Sequence, residues 1–404
     1  MHEVYDNQFL TANHPQGEVR CSVGPRIGII GGGQLARMTA VSALQLGCDV
    51  VVLERNRFSP AATLATHSLV GDWNTMEALN QLASQVDLIT LENEFVNSDL
   101  LLQLEQSGHT VLPSSRTISL VQDKFLQKQM LESVGLPIPQ MRLANSPADV
   151  SEAIKELGLP LLLKTRRDGY DGKGNATIRN TEDIESAWEK LGGNNGNALF
   201  VEQFCSFTTE LAVIITRGRT GELATYPIVE TVQKNHVCHL VRAPASIPSE
   251  VADRAAEIAR NAIIAVDAVG SFGVEMFLMH DGEIVINELA PRVHNSGHYT
   301  IEACVCSQFE NHVRAVLGLP LGSTQMIAPA AAMVNLLGNA HSPGRAIGMG
   351  KALEIPNAHL HLYGKAASGP GRKMGHVTAL GATQDEAELA ATRCASEIHF
   401  GEEL

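Results

Sequence analysis

Basic residues and long apolar runs are both scarce in this chain of 404 residues. Lysine and arginine number 30 against 44 aspartates and glutamates, which gives a net charge of −14. We expect no nucleic-acid partner, because a polyanion would be repelled overall. No apolar run approaches the roughly 20 residues of a membrane-spanning helix, so no membrane partner is expected either. Small-molecule substrates remain as the expected partners.

The sequence also has no cysteines at the paired spacing of zinc ligands and no visible secretory signal. The seven cysteines are an odd number without zinc-ligand spacing, which predicts a reducing compartment. Cys304 and Cys306 stand two apart in a stretch predicted as one helix, Ile301 to Val316, and are expected to serve packing. Residues 1–24 are polar, without the basic start and apolar core of a signal peptide. We therefore predict a cytoplasmic protein whose residues 1–24 form a disordered extension.

The apolar content is 44%, enough for two or three globular domains although only 4% of residues are aromatic. Changes of pattern predict an N-terminal domain over residues 25–115, a central domain over 116–322 and a small strand-rich domain over 323–404. The fold class predicted is α/β, with a mixed α+β central domain. A helical stretch from Ser119 to Val134 opens the central domain.

A glycine turn near the start of the chain supports two interpretations. Gly31, Gly33 and Ala36 match G-x-G-x-x-A after an apolar strand, and Glu54 ends a second strand. Taken alone, this pattern predicts a dinucleotide-binding protein. The turn itself indicates only a strand, a turn and a helix whose N-terminus suits anions.

The most informative stretch is a predicted hairpin around Asp281-Gly282, the dipeptide favoured in a two-residue turn. With these residues as the loop, Glu275 lies opposite Glu288. Facing carboxylates about 4.5–5.5 Å apart repel each other unless a cation lies between them, and ligation by few protein oxygens suits Mg²⁺, with Mn²⁺ as the alternative. A carboxyl pair sharing a proton, or a solvated hairpin rim, is the other interpretation. Strict alternation predicts Asn287 on the opposite face.

A polar turn, from Pro291 to His298, follows this hairpin directly. A glutamate on one strand, Asn-Glu on its partner and then APRVHNSGH resembles the ATP-grasp enzymes, and among them the N5-carboxyaminoimidazole ribonucleotide synthetases of purine biosynthesis. The resemblance implies an ATP-grasp fold, preceded by a Rossmann-like pre-ATP-grasp domain and followed by the small C-terminal domain. It further implies an ATP-dependent carbon-nitrogen ligase, and we expect a homodimer.

The resemblance assigns the ATP site to two lysines, a glycine-rich loop and a hinge between domains. Lys124 and Lys164 match the basic residues that hold nucleotide phosphates. Gln233 stands where relatives often carry a histidine, and His236 is the alternative contact. By itself the loop is either a lid whose amides cover phosphates or only a turn. It is not a Walker loop, because its glycine spacing differs and a strand, Ala176-Thr177-Ile178, is expected to follow it instead of a helix. The remaining expected ATP contacts are Gly169, Tyr170, Asp171, Gly172, Lys173, Gly174, Asn175, Glu202, Gln203, Phe204, Cys205, Glu210, Asn287 and Glu288.

The resemblance also implies a mechanism, in which bicarbonate attacks ATP to give carboxyphosphate and the amine of aminoimidazole ribonucleotide is then carboxylated. Glu275 and Glu288 are expected to bind the metal. The expected catalytic residues are Arg292, His294, Asn295, Tyr170 and Asp171. Cations around a glycine-rich turn suit a phosphate monoester, although a solvated basic turn is the alternative. The expected contacts to the ribonucleotide are Gly33, Gln34, Leu35, Glu94, Lys365, Arg372 and Lys373.

Three other functions compete with this one. A formate-dependent ribonucleotide transformylase shares the domains and the Pro-Arg turn, but the residues after His294 favour the carboxylating enzyme. Biotin carboxylase is disfavoured because its acidic base after the arginine is replaced here by Ser296 or its neighbours. A dinucleotide-binding protein built on the glycine turn is the alternative from a different class.

Overall fold

The computed structural model describes residues 24–169 and 174–401. The predicted extension, apart from Gly24, therefore lies outside the described residues. So do the expected nucleotide contacts Tyr170, Asp171, Gly172 and Lys173. Within the two described ranges, no helix is long and apolar enough to cross a membrane.

The N-terminal region is a parallel sheet with apolar clusters on both faces. Its elements are β1 (Arg26–Ile30), α1 (Gln34–Gln45), β2 (Asp49–Glu54), β3 (His67–Val70), α2 (Met76–Ala83), β4 (Leu88–Leu91) and α3 (Ser98–Gln106). The strand order is β3-β2-β1-β4. Both faces of a parallel sheet are covered, which is why β2 and β4 are continuous apolar runs. The predicted strand, glycine turn and helix are confirmed, since β1 leads through Gly31 (φ 97°) into α1.

Two helices, rather than the single predicted one, connect this sheet to the central region. They are α4 (Ser115–Gln122) and α5 (Lys124–Ser133). Asp123 lies between them with extended backbone (φ −92°, ψ 100°), and its carboxylate accepts hydrogen bonds from the amides of Phe125 and Leu126. The predicted continuous helix is wrong because this side chain caps a new helix instead of continuing the first.

A small antiparallel sheet carries the glycine-rich loop. Its elements are β5 (Met141–Ala144), α6 (Pro147–Leu157), β6 (Leu161–Thr165), β7 (Asn175–Ile178), α7 (Asp183–Lys190) and β8 (Leu199–Gln203), with strand order β5-β8-β6-β7. β6 and β7 pair directly, and the Thr165 amide donates to the Gly174 carbonyl at 2.9 Å. The expectation that a strand follows the loop is therefore confirmed.

The central region is built on a second, larger sheet. Its elements are β9 (Phe207–Arg217), β10 (Leu223–Thr225), β11 (Val229–Lys234), β12 (Val237–Ala243), α8 (Ser249–Ala265), β13 (Gly270–Met279), β14 (Ile284–Ala290), α9 (Thr300–Ala303) and α10 (Gln308–Leu317). The amphipathic α8 packs its buried alanines and isoleucines against β9, β13 and β14. β13 and β14 are thereby fixed as a rigid base for their polar side chains.

The C-terminal strands extend this same sheet. The elements are β15 (Ala330–Leu337), β16 (Ser342–Pro343), β17 (Ala346–Ile347), α11 (Met349–Ala352), β18 (Ala358–Leu362), β19 (Ala367–Ser368), β20 (Lys373–Gly381), α12 (Gln384–Ser396) and β21 (His399–Phe400). β12 pairs with β15, so the described strands run β14-β13-β9-β11-β12-β15-β20-β18 across one sheet, with β10 on its edge. The C-terminal residues are therefore held in register with the central ones.

The β13-β14 hairpin keeps the predicted pairing of its glutamates but not the predicted turn. Glu275 lies opposite Glu288. The loop has three residues, because the Met279 amide bonds to the Glu283 carbonyl at 2.8 Å and Gly282 takes a left-handed φ of 85°. The pairing shifts by one residue between Glu275 and Met276, opposite Asn287. This β-bulge compensates for the longer loop, so the two glutamates still face each other.

The helix predicted from Ile301 to Val316 is interrupted. α9 ends at Ala303, and α10 begins after Ser307, whose hydroxyl caps the Glu310 amide at 3.1 Å. Between them Cys304 forms a β-bridge with Met326, so the cysteine pair is not helical as predicted. Cys304 and Cys306 are buried free thiols, which agrees with a packing role.

Candidate active site

One cleft of about 1680 Å³ receives residues from all three regions of the chain. Its lining includes these residues predicted from sequence: Gln34, Leu35, Glu94, Lys124, Lys164, Gly169, Asn175, Phe204, Glu210, Gln233, Glu275, Asn287, Glu288, Arg292, His294, Asn295, Lys365, Arg372 and Lys373. Five other predicted residues lie outside the lining: Gly33, Gly174, Glu202, Gln203 and Cys205.

The facing glutamates of the hairpin are electrostatically unequal. Lys124, the first residue of α5, places Nζ 2.6 Å from Glu288 Oε2. Although burial opposes it, the Lys124 charge holds the pKa of Glu288 at about 2. Burial, and then the Glu288 charge, raise the pKa of Glu275 to about 8.

A cation between Glu275 and Glu288 would offset the repulsion between their carboxylates. Two facing carboxylates with the Asn287 amide beside them offer oxygen donors, which suit Mg²⁺ or Mn²⁺. The described part of the chain has no cluster of three or more His, Cys, Asp or Glu side chains arranged to hold a metal ion. The remaining ligands would therefore be water and phosphate oxygens. Asn287 reaches the cleft because the β-bulge breaks the alternation that predicted it on the other face.

The turn after the hairpin brings an uncharged imidazole against the glutamates. His294 Nε2 lies 3.4 Å from Glu275 Oε1, and its Nδ1 lies 2.9 Å from Ser296 Oγ. Burial, and then the Arg292 charge, lower the pKa of His294 to about 3. Gln308, which the sequence did not single out, holds the His294 backbone on both sides, at 2.9 Å to the amide and 2.8 Å to the carbonyl.

Arg292 reaches across the cleft to the N-terminal region. Its guanidinium binds both oxygens of Glu94, with Nε–Oε2 at 2.5 Å and Nη2–Oε1 at 3.0 Å. Two residues predicted to contact different substrates are thus each other's partners here. Asn295 makes an amide pair with Asn335 of β15, at 3.0 and 2.7 Å, which ties the same turn to the C-terminal strands.

Lys164 is part of a buried charge cluster that the sequence did not reveal. Its Nζ lies 2.6 Å from Glu202 Oε1, and Lys128 Nζ forms an ion pair with Glu202 Oε2. Glu202 and Lys128 are each 1% exposed and neither lines the cleft, so the Glu202 carboxylate lies buried behind Lys164. Lys128 stands four residues after Lys124 on α5, and this spacing was the available signal, since it places both on one helix face.

Three more of the expected ATP contacts line the cleft: Phe204, which follows β8, Glu210 of β9 and Gln233 of β11. Phe204 lines the cleft, whereas the side chain of Gln203 is exposed elsewhere and Cys205 is half-buried. Burial raises the pKa of Glu210, which accepts hydrogen bonds from Gln233 and Thr231. The sequence missed an aromatic pair beside them, Phe207 and Phe277, whose rings stack with centroids 4.4 Å apart in the cleft lining.

The glycine turn of the N-terminal region is occupied by the protein's own carboxylates. The Gly32 amide donates to Glu54 Oε2 at 2.8 Å, and the Gly33 amide donates to Glu92 Oε2 at 2.7 Å. A pyrophosphate would need these same amides. The geometry therefore disfavours the dinucleotide interpretation, and Glu92 is a further residue that the sequence prediction missed.

The C-terminal turn brings its cations to the same cleft. Lys365 Nζ donates to the Lys373 carbonyl at 2.6 Å, and the Arg372 side chain is exposed. Gly371 has a φ of 72°, which requires glycine at this bend. The turn thus brings three cations to the lining of the same cleft.

Three family models match the chain in order. They are described as the ribonucleotide synthetase preATP-grasp domain (residues 25–122), the ATP-grasp domain (residues 129–309) and the phosphoribosylaminoimidazole carboxylase C-terminal domain (residues 331–390). The N5-carboxyaminoimidazole ribonucleotide synthase of Synechococcus elongatus is 43% identical over 354 residues, covering 87% of this chain and 88% of that protein. The chain belongs to this family of ATP-grasp enzymes.

Solved structures of N5-carboxyaminoimidazole ribonucleotide synthetases have the same fold. The enzyme from Thermotoga maritima superposes with a TM-score of 0.85 at 38% identity, covering 94% of this chain and 100% of that one. The enzyme from Aspergillus clavatus, in complex with ADP and 5-aminoimidazole ribonucleotide, gives a TM-score of 0.84 at 38% identity, covering 92% and 98%. The predicted ATP-grasp architecture and enzyme class, an ATP-dependent ligase of purine biosynthesis, are confirmed.

Proposed function

We propose that this chain carboxylates 5-aminoimidazole ribonucleotide with bicarbonate and ATP, giving N5-carboxyaminoimidazole ribonucleotide, ADP and phosphate. The observation that carries this proposal is that one cleft is lined by the facing glutamates, the two phosphate lysines and the basic C-terminal turn. A nucleotide, bicarbonate and a phosphorylated acceptor can therefore be held side by side.

The ATP end of the cleft is built for negative charge. Lys124 and Lys164 bind the nucleotide phosphates, Glu210 and Gln233 face the ribose, and the hinge after β8 receives the base. Glu275 and Glu288, with Asn287, would hold a divalent cation, Mg²⁺ or Mn²⁺, which would supply positive charge next to the transferred phosphoryl group.

Arg292 and His294 hold the bicarbonate between the two larger substrates, and Asn295 fixes the turn that carries them. A bicarbonate oxygen attacks the γ-phosphorus, the bond to the β-phosphate oxygen breaks, and ADP leaves. The product of this step is carboxyphosphate. Burial lowers the pKa of His294 to about 3, which supports an uncharged imidazole. This imidazole orients the carbonate by hydrogen bonding, while Arg292 supplies the positive charge.

The acceptor lies between the glycine turn and the C-terminal turn. Lys365, Arg372 and Lys373 bind its 5′-phosphate, while Gln34, Leu35 and the Gly33 backbone enclose it from the N-terminal side and Glu94 contacts its sugar or amine. The amine then forms a bond to the carbon of carboxyphosphate, or of the CO₂ released from it. The bond from that carbon to the phosphate oxygen breaks, either as the amine attacks or earlier when CO₂ is released, and the amine's proton passes to the phosphate. Tyr170 and Asp171, outside the described residues, are proposed on the resemblance alone to contact both substrates and exclude water.

Phosphate release measured with ATP and bicarbonate, with and without 5-aminoimidazole ribonucleotide, tests the function. We expect release that requires bicarbonate and rises when the ribonucleotide is added. Formate replaces bicarbonate in the control. Release that depends on formate rather than bicarbonate would identify a transformylase and overturn the proposal.

The chain is further proposed to act as a cytoplasmic homodimer. Val305 and Ile327 support a self-association surface, because these apolar residues flank the Cys304–Met326 bridge and are 60% and 62% exposed. Light scattering of the purified chain tests this, and a concentration-independent monomer mass would contradict it.

A further inference from the structure

Lys128 is a buried lysine for which the mechanism above has no use. It lies on the same face of α5 as Lys124, one turn further on, and is 1% exposed. Its Nζ forms an ion pair with Glu202 Oε2, and has no hydrogen-bond acceptor elsewhere in the described chain. Unlike Lys124 and Lys164, it does not line the cleft.

Glu202 therefore carries two ammonium groups on one carboxylate. Lys164 occupies Oε1 at 2.6 Å, and Lys128 occupies Oε2. The cluster of two lysines and one glutamate has an excess positive charge in a buried place, which is unfavourable by itself. Burial, and also the Lys164 charge, lower the pKa of Lys128 to about 8, although Glu202 opposes the shift. An anion bound at Lys164 would balance this excess.

We propose that Lys128 is a positioning residue for ATP, which shares the charge of Glu202 and so keeps the Lys164 ammonium available to the nucleotide phosphates. This inference rests on the proposed function, because that function places the phosphates at Lys164. Without Lys128, Glu202 and Lys164 form a closed one-to-one pair. The nucleotide must then compete with Glu202 for Lys164.

A purely structural role for Lys128 predicts a different pattern of effects. If the side chain served only to hold the fold together, removing it would lower stability and affect all substrates alike. In the positioning role, Lys128→Met leaves Lys164 and Glu202 as a charge-balanced pair but removes the partner of Glu202 Oε2, which lowers stability. The KM of ATP then rises while the KM of the ribonucleotide does not.

Three variants distinguish these roles. They are Lys128→Met, the double variant Lys128→Met/Glu202→Gln, and Lys155→Met as a control that removes an exposed lysine of α6, 69% exposed. Each is measured for kcat, for the KM of ATP and of the ribonucleotide, and for thermal midpoint. Lys128→Met should raise the KM of ATP by about tenfold or more, the scale of one charge-assisted contact, and leave the KM of the ribonucleotide unchanged. The loss of the Lys128 contact should lower its thermal midpoint without affecting the KM of the ribonucleotide.

The double variant carries the decisive result. Because Glu202→Gln frees Lys164 again, we expect the KM of ATP to return toward the wild-type value, and Lys155→Met to match the wild type throughout. An unchanged KM of ATP in Lys128→Met, a double variant no better than the single one, or a Lys128→Met protein that does not fold would each overturn the inference. If the wild type shows no bicarbonate-dependent phosphate release, the proposed function itself has failed, which is a separate outcome.

Discussion

At the scale of single residues, the facing glutamates should be indispensable for turnover and dispensable for folding. Removing a metal ligand forfeits several kcal/mol of charge stabilisation in the transition state, so Glu275→Gln or Glu288→Gln should lower kcat by roughly a thousandfold or more. Glu275→Gln replaces a carboxyl group whose ionisation burial and Glu288 disfavour with a neutral amide, so its thermal midpoint should not fall. Glu283→Gln, on the same hairpin but exposed and paired with Arg254, is the control and should keep its kcat. Near-normal kcat in both glutamate variants would refute the metal site.

The same residue should make stability depend on pH. Burial, and then the Glu288 charge, raise the pKa of Glu275 from 4.5 to about 8. Between pH 4.5 and about pH 8 the folded chain keeps a proton on Glu275 that the unfolded chain has released. Protonated Glu275 therefore contributes its full stability below pH 4.5, and this contribution is lost as the pH rises through about 8. From about pH 5 to pH 8.5 the thermal midpoint of the wild type should therefore fall more steeply than that of Glu275→Gln. Parallel curves for the two proteins would contradict this.

Arg372 offers a test that separates the acceptor from ATP. A charge-assisted contact contributes about 1.5–3 kcal/mol, so Arg372→Ala should raise the KM of the ribonucleotide by roughly tenfold to a hundredfold. The KM of ATP should barely change, because Arg372 belongs to the C-terminal turn. Arg345→Ala, at another arginine of the C-terminal region that does not line the cleft, serves as the control. If Arg372→Ala instead raised the KM of ATP, the acceptor pocket would be wrongly assigned.

The sequence predicted some contacts of the site correctly and missed others. Glu275 and Glu288 were correctly paired although the turn predicted for them was wrong, because the β-bulge at Asn287 offsets the third loop residue. Asn287 was placed on the wrong face, because a β-bulge depends on how a loop closes and leaves no mark in composition. Lys128 and Glu202 were missed as a pair because their contact joins a helix to a strand 74 residues away, counted from 128 to 202.

At the scale of elements, Asp123 joins the start of α5 to the base of the glycine-rich loop. Its carboxylate caps α5 and binds Arg166 through Nε at 3.0 Å and Nη2 at 2.6 Å, while the Lys124 amide donates to the Arg166 carbonyl at 2.8 Å. Lys124 is thus positioned by the contacts that Asp123 and its own amide make with Arg166 at the base of the glycine-rich loop. Helix propensity could not indicate this break, since the partner that holds Asp123 in an extended conformation is 43 residues away.

Removing the Asp123 side chain should lower the free energy of unfolding. Asp123→Ala leaves Arg166 without its partly buried partner and α5 without its cap, so we expect a loss of about 3–5 kcal/mol of stability together with a higher KM for ATP. Asp281→Ala, in the exposed hairpin loop, should cost less than about 1 kcal/mol. Chemical denaturation measures both. Equal effects of the two substitutions would show that the contacts of Asp123 contribute no more to stability than those of an exposed loop aspartate.

At the scale of the whole molecule, the site depends on sheet continuity. β12 pairs with β15 over residues 240–243, and Arg242 of β12 also binds Glu388 of α12, with Nε–Oε2 at 2.6 Å. The sequence predicted the number of regions and their strand content from local pattern. It could not predict that two of them share a sheet, because strand pairing across a linker is decided by three-dimensional packing rather than by either strand alone.

This continuity predicts that the chain cannot be divided at the expected boundary after residue 322. Removing residues 323–404 would expose the backbone of β12 and uncover the apolar side chains beneath α12, and an unprotected strand edge promotes association. We expect the truncated chain to aggregate, or to lose the thermal stabilisation that Mg-ATP gives the full chain. A chain that ends at residue 401 is the control and should behave as the full chain does. A truncated monomer that unfolds cooperatively and is stabilised by Mg-ATP would show instead that the central region folds and binds the nucleotide alone, with the C-terminal strands needed only for the ribonucleotide.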